Sequence, residues 1–311
     1  MKHPTNIFTA LPYDDSRVLL QVTGAAGQFQ IPMEKEQAEL LAKQLFKLAQ
    51  DSEKSNEAKM LDYLKESMVF LPKGQLWMGS MPAENIPEDE LPRHPVKVDA
   101  FHMSAFLVTQ GLWRYVMGSN PSLHKGLRKP VHQITWFDAI AFCNALSKTV
   151  GLEPVYVIES GVVSWNRSAN GYRLPTEVEW EYAARTRDDL RYSGADTIAE
   201  VGWIEGMTAE LPEIAQKEPN LWGFHDLSGL LWEWCWDDFA PYLVSKSEAL
   251  QSENVESGAV ESVVGQYSEL LEKSCRGGAW NASSQYARCT ARYSQPPTTK
   301  GEIGLRVVRS V

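Results

Sequence analysis

Thiols and imidazoles are the side chains in this sequence that could bind a transition metal. The four cysteines and six histidines are spread over the 311 residues: Cys143, Cys235, Cys275, Cys289, His3, His94, His102, His124, His132 and His225. Zinc sites use ligands at short spacings such as Cys-x-x-Cys, and neither residue type occurs at such a spacing here. We therefore expect the cysteines to be small buried hydrophobic residues, and we expect no metal and no cofactor.

Three closely spaced carboxylates, Glu177, Glu179 and Glu181, could in principle supply acid/base catalysis. Thr176 with Glu179 is a capping-box pattern, which predicts a helix from Thr176 to Arg185. Helix residues two positions apart diverge by about 200°, so these carboxylates do not converge on one substrate atom. We expect them to stabilise the helix N-terminus and to pair with arginines (Arg173 and Arg185) rather than to catalyse.

Two further patterns predict elements of the core. Thr135, as an N-cap with Asp138 three residues later, predicts a helix from Trp136 to Lys148. In Trp232, Trp234 and Trp236 the period of two places three indoles on one face of a strand. We expect these indoles to be core residues; an aromatic ligand cage is the alternative.

The residue composition of positions 1–66 differs from that of the rest of the chain. The run Val18–Val22 has the length of a strand, and the stretch Met33–Glu66 is rich in helix-forming residues. Four apolar residues fall on one helical face: Ala38, Leu41, Leu45 and Leu48. We expect residues 1–66 to form a strand/helix extension packed on the main body, with a partner-binding helix as the alternative.

Composition excludes several classes of protein. The chain is 43% hydrophobic and 23% charged, which is typical of a globular protein. A formal charge of −10 argues against nucleic-acid binding. No apolar run reaches about 18 residues, so we expect no transmembrane segment. Because Met1–Ala10 lacks the features of a signal peptide, the protein is either cytoplasmic or has lost a leader.

Several short motifs after residue 69 follow one another in a fixed order. They are Phe70–Ser80, Tyr172–Arg185, Pro219–Asp226, Trp232–Cys235, Arg276–Trp280 and Gly304–Arg306. This series resembles the formylglycine-generating enzyme (sulfatase-modifying factor) family over residues 69–311. The resemblance implies an α+β, C-type-lectin-like fold with irregular antiparallel strands, two main helices and long loops. Residues 241–272 are then an insertion.

The resemblance also implies which metal sites to look for. Enzymatic members of the family hold copper with two cysteines that follow the Arg-Gly-Gly motif, and copper(I) requires such soft ligands. Here residues 281–289 contain a single cysteine, Cys289, so we expect no oxidase activity. Leu230 replaces an amide ligand of the family's calcium motif, and Val201–Trp203 replaces a second calcium loop, so we expect no calcium.

The segment 276–306 resembles the variable region of proteins diversified by retroelements, of the Treponema type. That resemblance implies a ligand-binding region formed by Asn281, Ala282, Ser283, Gln285, Tyr286, Ala291, Tyr293, Ser294, Gln295, Thr298 and Thr299. Tyrosine offers a large rigid contact area, while small polar residues offer adaptable hydrogen bonds, as in antibody loops. A solvated surface loop without a ligand is the alternative.

We therefore predict a non-catalytic receptor that displays a diversified binding surface. Its ligand is expected to be a protein or a cell-surface molecule, with no nucleic-acid partner. The family implies a location at the cell surface or outer membrane if a leader was removed, with the cytoplasm as the alternative. Two rival functions remain: a cytosolic scaffold or regulatory module of the same fold, and an oxidase-like enzyme with altered chemistry. Exposure of Ser283, Tyr286 and Tyr293 favours the receptor.

Overall fold

A computed structural model describes residues 7–12, 17–24, 27–36, 38, 43, 59, 61–83, 85–186, 189–242 and 271–311. The chain divides into two units, Met1–Lys59 and Met60–Val311. The first unit contains an antiparallel sheet of β1 (Ile7–Pro12), β2 (Arg17–Gly24) and β3 (Gly27–Glu34), in that order. The strand predicted at Val18–Val22 is confirmed as part of β2, whereas its two neighbouring strands were not predicted.

The helix predicted from Met33 begins later than its sequence pattern indicates. Met33 itself pairs with Val18 in the β2–β3 ladder. Residues 35, 36, 38, 43, 59 and 61–66 are helical, and Ala38 is buried. The other three predicted apolar positions, Leu41, Leu45 and Leu48, lie outside the described residues. The packing of residues 1–66 on the main body stays a prediction.

The second unit is built from short strands and, after the helical residues 61–66, four further α-helices among the described residues. Its strands are β4 (Met68–Leu71), β5 (Gly74–Met78), β6 (His94–Val98), β7 (Phe101–Ser104), β8 (Tyr156–Glu159), β9 (Val162–Trp165), β10 (Trp232–Asp238), β11 (Lys273–Arg276), β12 (Tyr293–Gln295), β13 (Ile303–Gly304) and β14 (Val308–Ser310). They form sheets of order β12-β11-β10-β13, β14-β7-β4, β5-β6 and β8-β9. Pairing is antiparallel except between β10 and β13. The predicted α+β class with irregular antiparallel strands is confirmed.

Helix boundaries follow the local capping signals. The described helices are α1 (Gln110–Met117), α2 (Trp136–Thr149), α3 (Glu177–Arg185) and the single turn α4 (Ile198–Val201). Thr135 and Thr176 each cap a helix by accepting a hydrogen bond from the backbone of the third helical residue, and both helices have complete capping boxes. The two predicted helices are therefore confirmed.

The alternating tryptophans of β10 pack into the main core. Trp234 is fully buried and its Nε1 donates to the carbonyl of Ile134 at 3.2 Å. Trp236 stacks on Tyr156 with ring centroids 5.0 Å apart. Trp232 is the first residue of β10; it is buried and contacts Tyr286 and Tyr293. The prediction that these indoles are core residues is confirmed for Trp232 and Trp234, whereas Trp236 is half-buried and packs against the same core.

The four cysteines are all free and buried, as predicted. Of the predicted insertion 241–272, only the two residues at each end belong to the described residues. Within the described part of the chain, the helices are too short or too polar to cross a lipid bilayer.

Candidate ligand-binding surface

Three buried arginines connect the segment 276–306 to the core. Arg276 Nη2 donates to Glu181 Oε2 at 2.7 Å, and Arg292 Nε donates to Glu177 Oε1 at 2.7 Å. Arg306 Nη2 donates to Glu233 Oε1 at 2.9 Å. All three guanidinium groups are buried. Buried charges need such hydrogen-bonded partners, so these pairs fix where the segment leaves and rejoins the core.

The carboxylates of α3 pair with arginines, as predicted. Glu179 accepts two hydrogen bonds from Arg173, at 2.6 and 2.7 Å, and Glu181 accepts one from Arg185 at 3.3 Å. Burial raises the pKa of Glu177, but hydrogen bonds and charge from Arg292 and Arg276 outweigh it and hold that pKa at about 2. A carboxylate with so low a pKa is a poor general base at neutral pH.

Between the buried arginines, the chain forms a compact surface loop. A short 3-10 helix spans Ser284–Ala287, and β12 follows along the edge of the sheet beside β11. Gly278, at φ +77°, brings its backbone close to Tyr286: an added Cβ would lie 3.0 Å from the Tyr286 carbonyl carbon. Gly301 O accepts from Gln133 N at 2.9 Å, and Pro297 O accepts from Trp136 N at 3.0 Å. These backbone contacts hold part of the loop without using its side chains.

An aromatic cluster of Trp232, Tyr286 and Tyr293 lies at the centre of this surface. Tyr293 stacks on Trp232 with centroids 4.5 Å apart and planes 24° apart. Tyr286 meets Trp232 edge-on at 5.7 Å and lies 6.2 Å from Tyr293. Trp232 is buried, whereas Tyr286 is 36% exposed. The cluster thus connects the core to solvent through rigid rings, an arrangement that suits binding of an apolar or aromatic group.

The structure brings most of the predicted ligand-binding residues to the surface. The exposed residues are Asn281, Ser283, Gln285, Tyr286 and Thr298; the half-buried ones are Ala282, Tyr293, Ser294, Gln295 and Thr299. Gln295 Nε2 donates to Tyr293 Oη at 2.7 Å, and Ser294 Oγ donates to Glu272.

Ala291 is the exception among these residues. It is only 2% exposed, because the chain passes through the interior here to bring Arg292 to Glu177. Its inclusion as a ligand contact is therefore corrected: Ala291 supports the surface from below. As a small residue it matched the pattern of its neighbours, so sequence alone offered no signal for this difference.

Folding also brings together three potential metal ligands that sequence spacing did not reveal. The ligand atoms of His124, His132 and Glu302 all lie within 4.8 Å of one another. However, His132 Nε2 already accepts from the backbone N–H groups of Leu123 (3.1 Å) and His124 (3.3 Å). Burial lowers the pKa of His132 and so favours this neutral, hydrogen-bonded form. Glu302 Oε2 accepts from Trp280 Nε1 at 2.9 Å, so these residues form a hydrogen-bonded support for the surface.

The residues at the family's metal positions do not fit copper or calcium. Cys289 is buried, and burial raises its thiol pKa to about 12, whereas copper(I) binds thiolates. Leu230 is fully buried in an apolar cluster with Leu107, Leu211 and Ile214, so its side chain offers no oxygen ligand.

Comparison with known proteins identifies the family of this chain. The model of the sulfatase-modifying factor enzyme 1-like domain matches residues 54–311. The formylglycine-generating enzyme of Streptomyces coelicolor is 26% identical over 290 residues, a match that covers 76% of this chain and 87% of that protein. A protein named chaperone protein LppX, from Paenibacillus barcinonensis, is 36% identical over 178 residues, which cover 46% of this chain and 64% of that protein. This match therefore spans less than two thirds of the relative's length.

A solved structure resembles this chain over most of its length. Treponema denticola variable protein 1 superposes with a TM-score of 0.65 and 26% sequence identity, covering 78% of this chain and 94% of that one. The match to the family model and the likeness to Treponema denticola variable protein 1 confirm the predicted fold, which is the formylglycine-generating-enzyme type of C-type-lectin-like fold.

Proposed function

This chain belongs to the sulfatase-modifying factor enzyme 1-like family, and we propose that it is a non-catalytic member that binds a ligand through residues 281–299. The chain's similarity to a protein named as a variable protein supports a ligand-binding scaffold. The proposed ligand is a protein or a cell-surface molecule. A location at the cell surface would suit such a ligand, and fractionation of the source cells tests that location.

The aromatic cluster of Trp232, Tyr286 and Tyr293 is the observation that carries this proposal. Tyr293 stacks on the buried Trp232 and Tyr286 packs edge-on against it, so both tyrosines lose little conformational entropy when a ligand covers them. The exposed polar residues around it, such as Ser283 and Gln285, supply hydrogen-bond donors and acceptors at the rim. This combination of a rigid aromatic centre and a polar rim is typical of binding surfaces.

The proposal is tested by binding to an array of purified bacterial surface proteins and glycans. Candidate ligands found with the wild-type chain are titrated against Tyr286→Ala and Tyr293→Ala. Tyr63→Ala is the matched control, because Tyr63 is 38% exposed and also stacks on a neighbouring ring, that of Phe106. Loss of a hot-spot tyrosine costs about 2 kcal/mol, which is roughly thirtyfold in affinity. Equal affinities for all three variants would contradict the proposal.

The absence of the cysteine pair carries the non-catalytic part of the proposal. Residues 281–289 provide one thiol, and this thiol is buried and protonated at neutral pH. We expect no aldehyde when the chain is incubated with copper, oxygen and a cysteine-containing sulfatase peptide. The formylglycine-generating enzyme of Streptomyces coelicolor serves as the positive control. Aldehyde formation by this chain would refute the non-catalytic assignment.

A different enzymatic chemistry would need an accessible titratable group. Burial raises the pKa of Asp226 to about 6, which is a useful value for proton transfer. Asp226 is only 2% exposed, however, and its Oδ2 accepts from the backbone of Ala215 at 2.8 Å. A substrate has no direct access to this carboxyl group, so Asp226 does not support catalysis.

A further inference from the structure

A cavity lies apart from the surface formed by residues 281–299, where the β5–β6 hairpin meets the end of α3. Its volume is about 430 Å³, and its lining includes Lys73, Trp77, Arg93, Tyr182, Arg185 and Asp189. We call it the cationic cavity. Small-molecule sites commonly have volumes of about 300–1,000 Å³, so the cavity is large enough for a small ligand.

Hydrogen bonds between helix and hairpin give the cationic cavity a fixed shape. Tyr182 Oη donates to Pro72 O at 3.1 Å, just before β5, and Arg185 Nη1 donates to Gly79 O at 3.0 Å, just after it. Both side chains extend from α3, so their hydrogen bonds connect this helix to the residues at both ends of β5. The cavity therefore exists before any ligand binds, which lowers the entropic cost of binding.

The charges that line the cavity favour an anion. Three cations, Lys73, Arg93 and Arg185, face a single lining carboxylate, Asp189. Asp189 accepts from both arginines; the hydrogen bond from Arg93 is the main cause of its lowered pKa. Arg185 also donates to Glu181 at 3.3 Å, so two carboxylates share the charge of the three cations, and Lys73 forms no ion pair among the described residues. This local excess of positive charge stands out in a chain whose formal net charge is −10.

Arg93 retains hydrogen-bonding capacity that a ligand could use. Within the described residues, its guanidinium donates only through Nη2, to the two oxygens of Asp189 at 2.7 and 3.0 Å. Its Nε is buried and has no acceptor there. An unsatisfied donor of this kind destabilises the fold, and a second oxyanion beside the guanidinium would accept from it after a small side-chain shift.

Trp77 adds an aromatic surface to this cationic site. It is 57% exposed, whereas the other ten tryptophans are buried or half-buried. An indole that lines a cavity beside cations offers a planar face to a ring. A ligand that uses both features must combine a planar ring with a negative charge.

We propose that the cationic cavity binds a small aryl oxyanion, meaning an aromatic ring that bears a phosphate or carboxylate group. Calorimetric titration of the full chain with phenyl phosphate and with benzoate tests this proposal and distinguishes the two anions. Inorganic phosphate and phenol are the probes for the charge alone and the ring alone. We expect at least one aryl oxyanion to bind about tenfold more tightly than either single-feature probe.

Variants then locate the binding site. Arg93→Gln and Trp77→Leu should each weaken binding by about tenfold, since each removes one charge-assisted hydrogen bond or one stacking face. Lys73 is exposed and forms no ion pair among the described residues, so Lys73→Gln lowers the charge of the cavity without disturbing the fold. Arg128→Gln is the matched control, because Arg128 is an exposed arginine whose ion pair with Glu213 lies outside the cavity.

The binding measurements on these variants either support the proposal or overturn it. Weakened binding in Arg93→Gln, Trp77→Leu and Lys73→Gln, with wild-type affinity in Arg128→Gln, would support the proposal. The proposal is overturned if neither phenyl phosphate nor benzoate binds, if phenol or phosphate binds equally well, or if Arg128→Gln weakens binding as much as Lys73→Gln. None of these outcomes depends on Tyr286 or Tyr293, so this test is independent of the proposed function.

Discussion

Replacing Arg276 with methionine tests whether buried ion pairs hold the ligand-binding segment in place. The Arg276 guanidinium donates to Glu177 Oε1 at 2.9 Å, to Glu181 Oε2 at 2.7 Å and to Cys289 O at 2.7 Å. Methionine fills much of the same volume but removes the charge and all three hydrogen bonds. Glu177 keeps Arg292 as a partner, whereas Glu181 Oε2 loses its cation inside the core.

The expected loss follows from the burial of these groups. Removing one partner of a buried ion pair costs about 3–5 kcal/mol, because the remaining charge stays buried without compensation. Arg185 Nη1, at 3.3 Å from Glu181 Oε1, offsets part of that cost. In a unit of this size each 1 kcal/mol lowers the unfolding midpoint by about 2–4 °C, so we expect a decrease of roughly 6–20 °C.

Tryptophan fluorescence during thermal unfolding, for the midpoint, and during urea unfolding, for the free energy, is the appropriate assay. All eleven tryptophans lie at or after Trp77, so their emission reports on the second unit alone. Arg128→Met is the matched control: Arg128 Nε lies 3.4 Å from Glu213 Oε2 in an exposed pair, which is worth less than about 1 kcal/mol. Adding Glu181→Gln to Arg276→Met should restore part of the lost free energy of unfolding, since it removes the buried carboxylate charge that Arg276 no longer pairs with.

Two results would refute this reasoning. One is a loss of free energy of unfolding for Arg276→Met no larger than that for Arg128→Met. The other is a double variant, Arg276→Met with Glu181→Gln, whose loss equals the sum of the two single losses. Either result would mean that the ion pairs do not hold the segment to α3, and another cause of its rigidity would be needed.

Three further predictions concern buried groups and the loop backbone. Because the folded-state pKa of Asp226 is raised to about 6 from 3.8, its proton stabilises the fold as the pH falls through 6. Unfolding measurements should show about 1.4 kcal/mol gained by this group between about pH 8 and about pH 5, and Asp226→Asn should remove that gain. The four buried cysteines should resist a thiol reagent in the folded protein and react fully in denaturant; fast native labelling would contradict their burial. Gly278→Ala should cost more stability than Gly118→Ala, since both glycines have positive φ but only Gly278 has backbone within 4 Å of an added Cβ; equal losses by urea unfolding would argue against close packing against Tyr286.

Sequence reasoning succeeded where the signal was local. Thr135 and Thr176 mark the starts of α2 and α3 because a cap acts on backbone groups only three residues away. The period of two in Trp232–Trp236 places indoles in the core for the same reason. By contrast, β1 and β3 were missed: Gly27–Glu34 carries glycine, glutamine and proline, so only its pairing with β2 reveals it as a strand.

The site was predicted less completely because its geometry depends on distant contacts. Glu302 lies more than 160 residues after His132, so no spacing rule could bring the two together. The burial of Ala291 depends on the pairing of Arg292 with Glu177, 115 residues away in sequence. Residue types along 281–299 predicted a binding surface, but only the fold determines which of these side chains reach it.

The contacts that hold this loop in place do not involve its exposed side chains, which explains how the loop could tolerate sequence change. The loop is held by three arginines, Arg276 before it, Arg292 within it and Arg306 after it, and their partners lie in α3 and β10. Near its C-terminal end the chain is also held through the backbone carbonyl groups of Pro297 and Gly301, which remain whatever side chains surround them. Exposed positions away from such contacts usually change stability by no more than about 0.5 kcal/mol when substituted. We therefore expect alanine at Ser283, or at the similarly exposed Asn281, Gln285 and Thr298, to leave the free energy of unfolding within that range in urea titrations. Losses near 2 kcal/mol would mean that these side chains build the loop, and the surface could not vary independently of the fold.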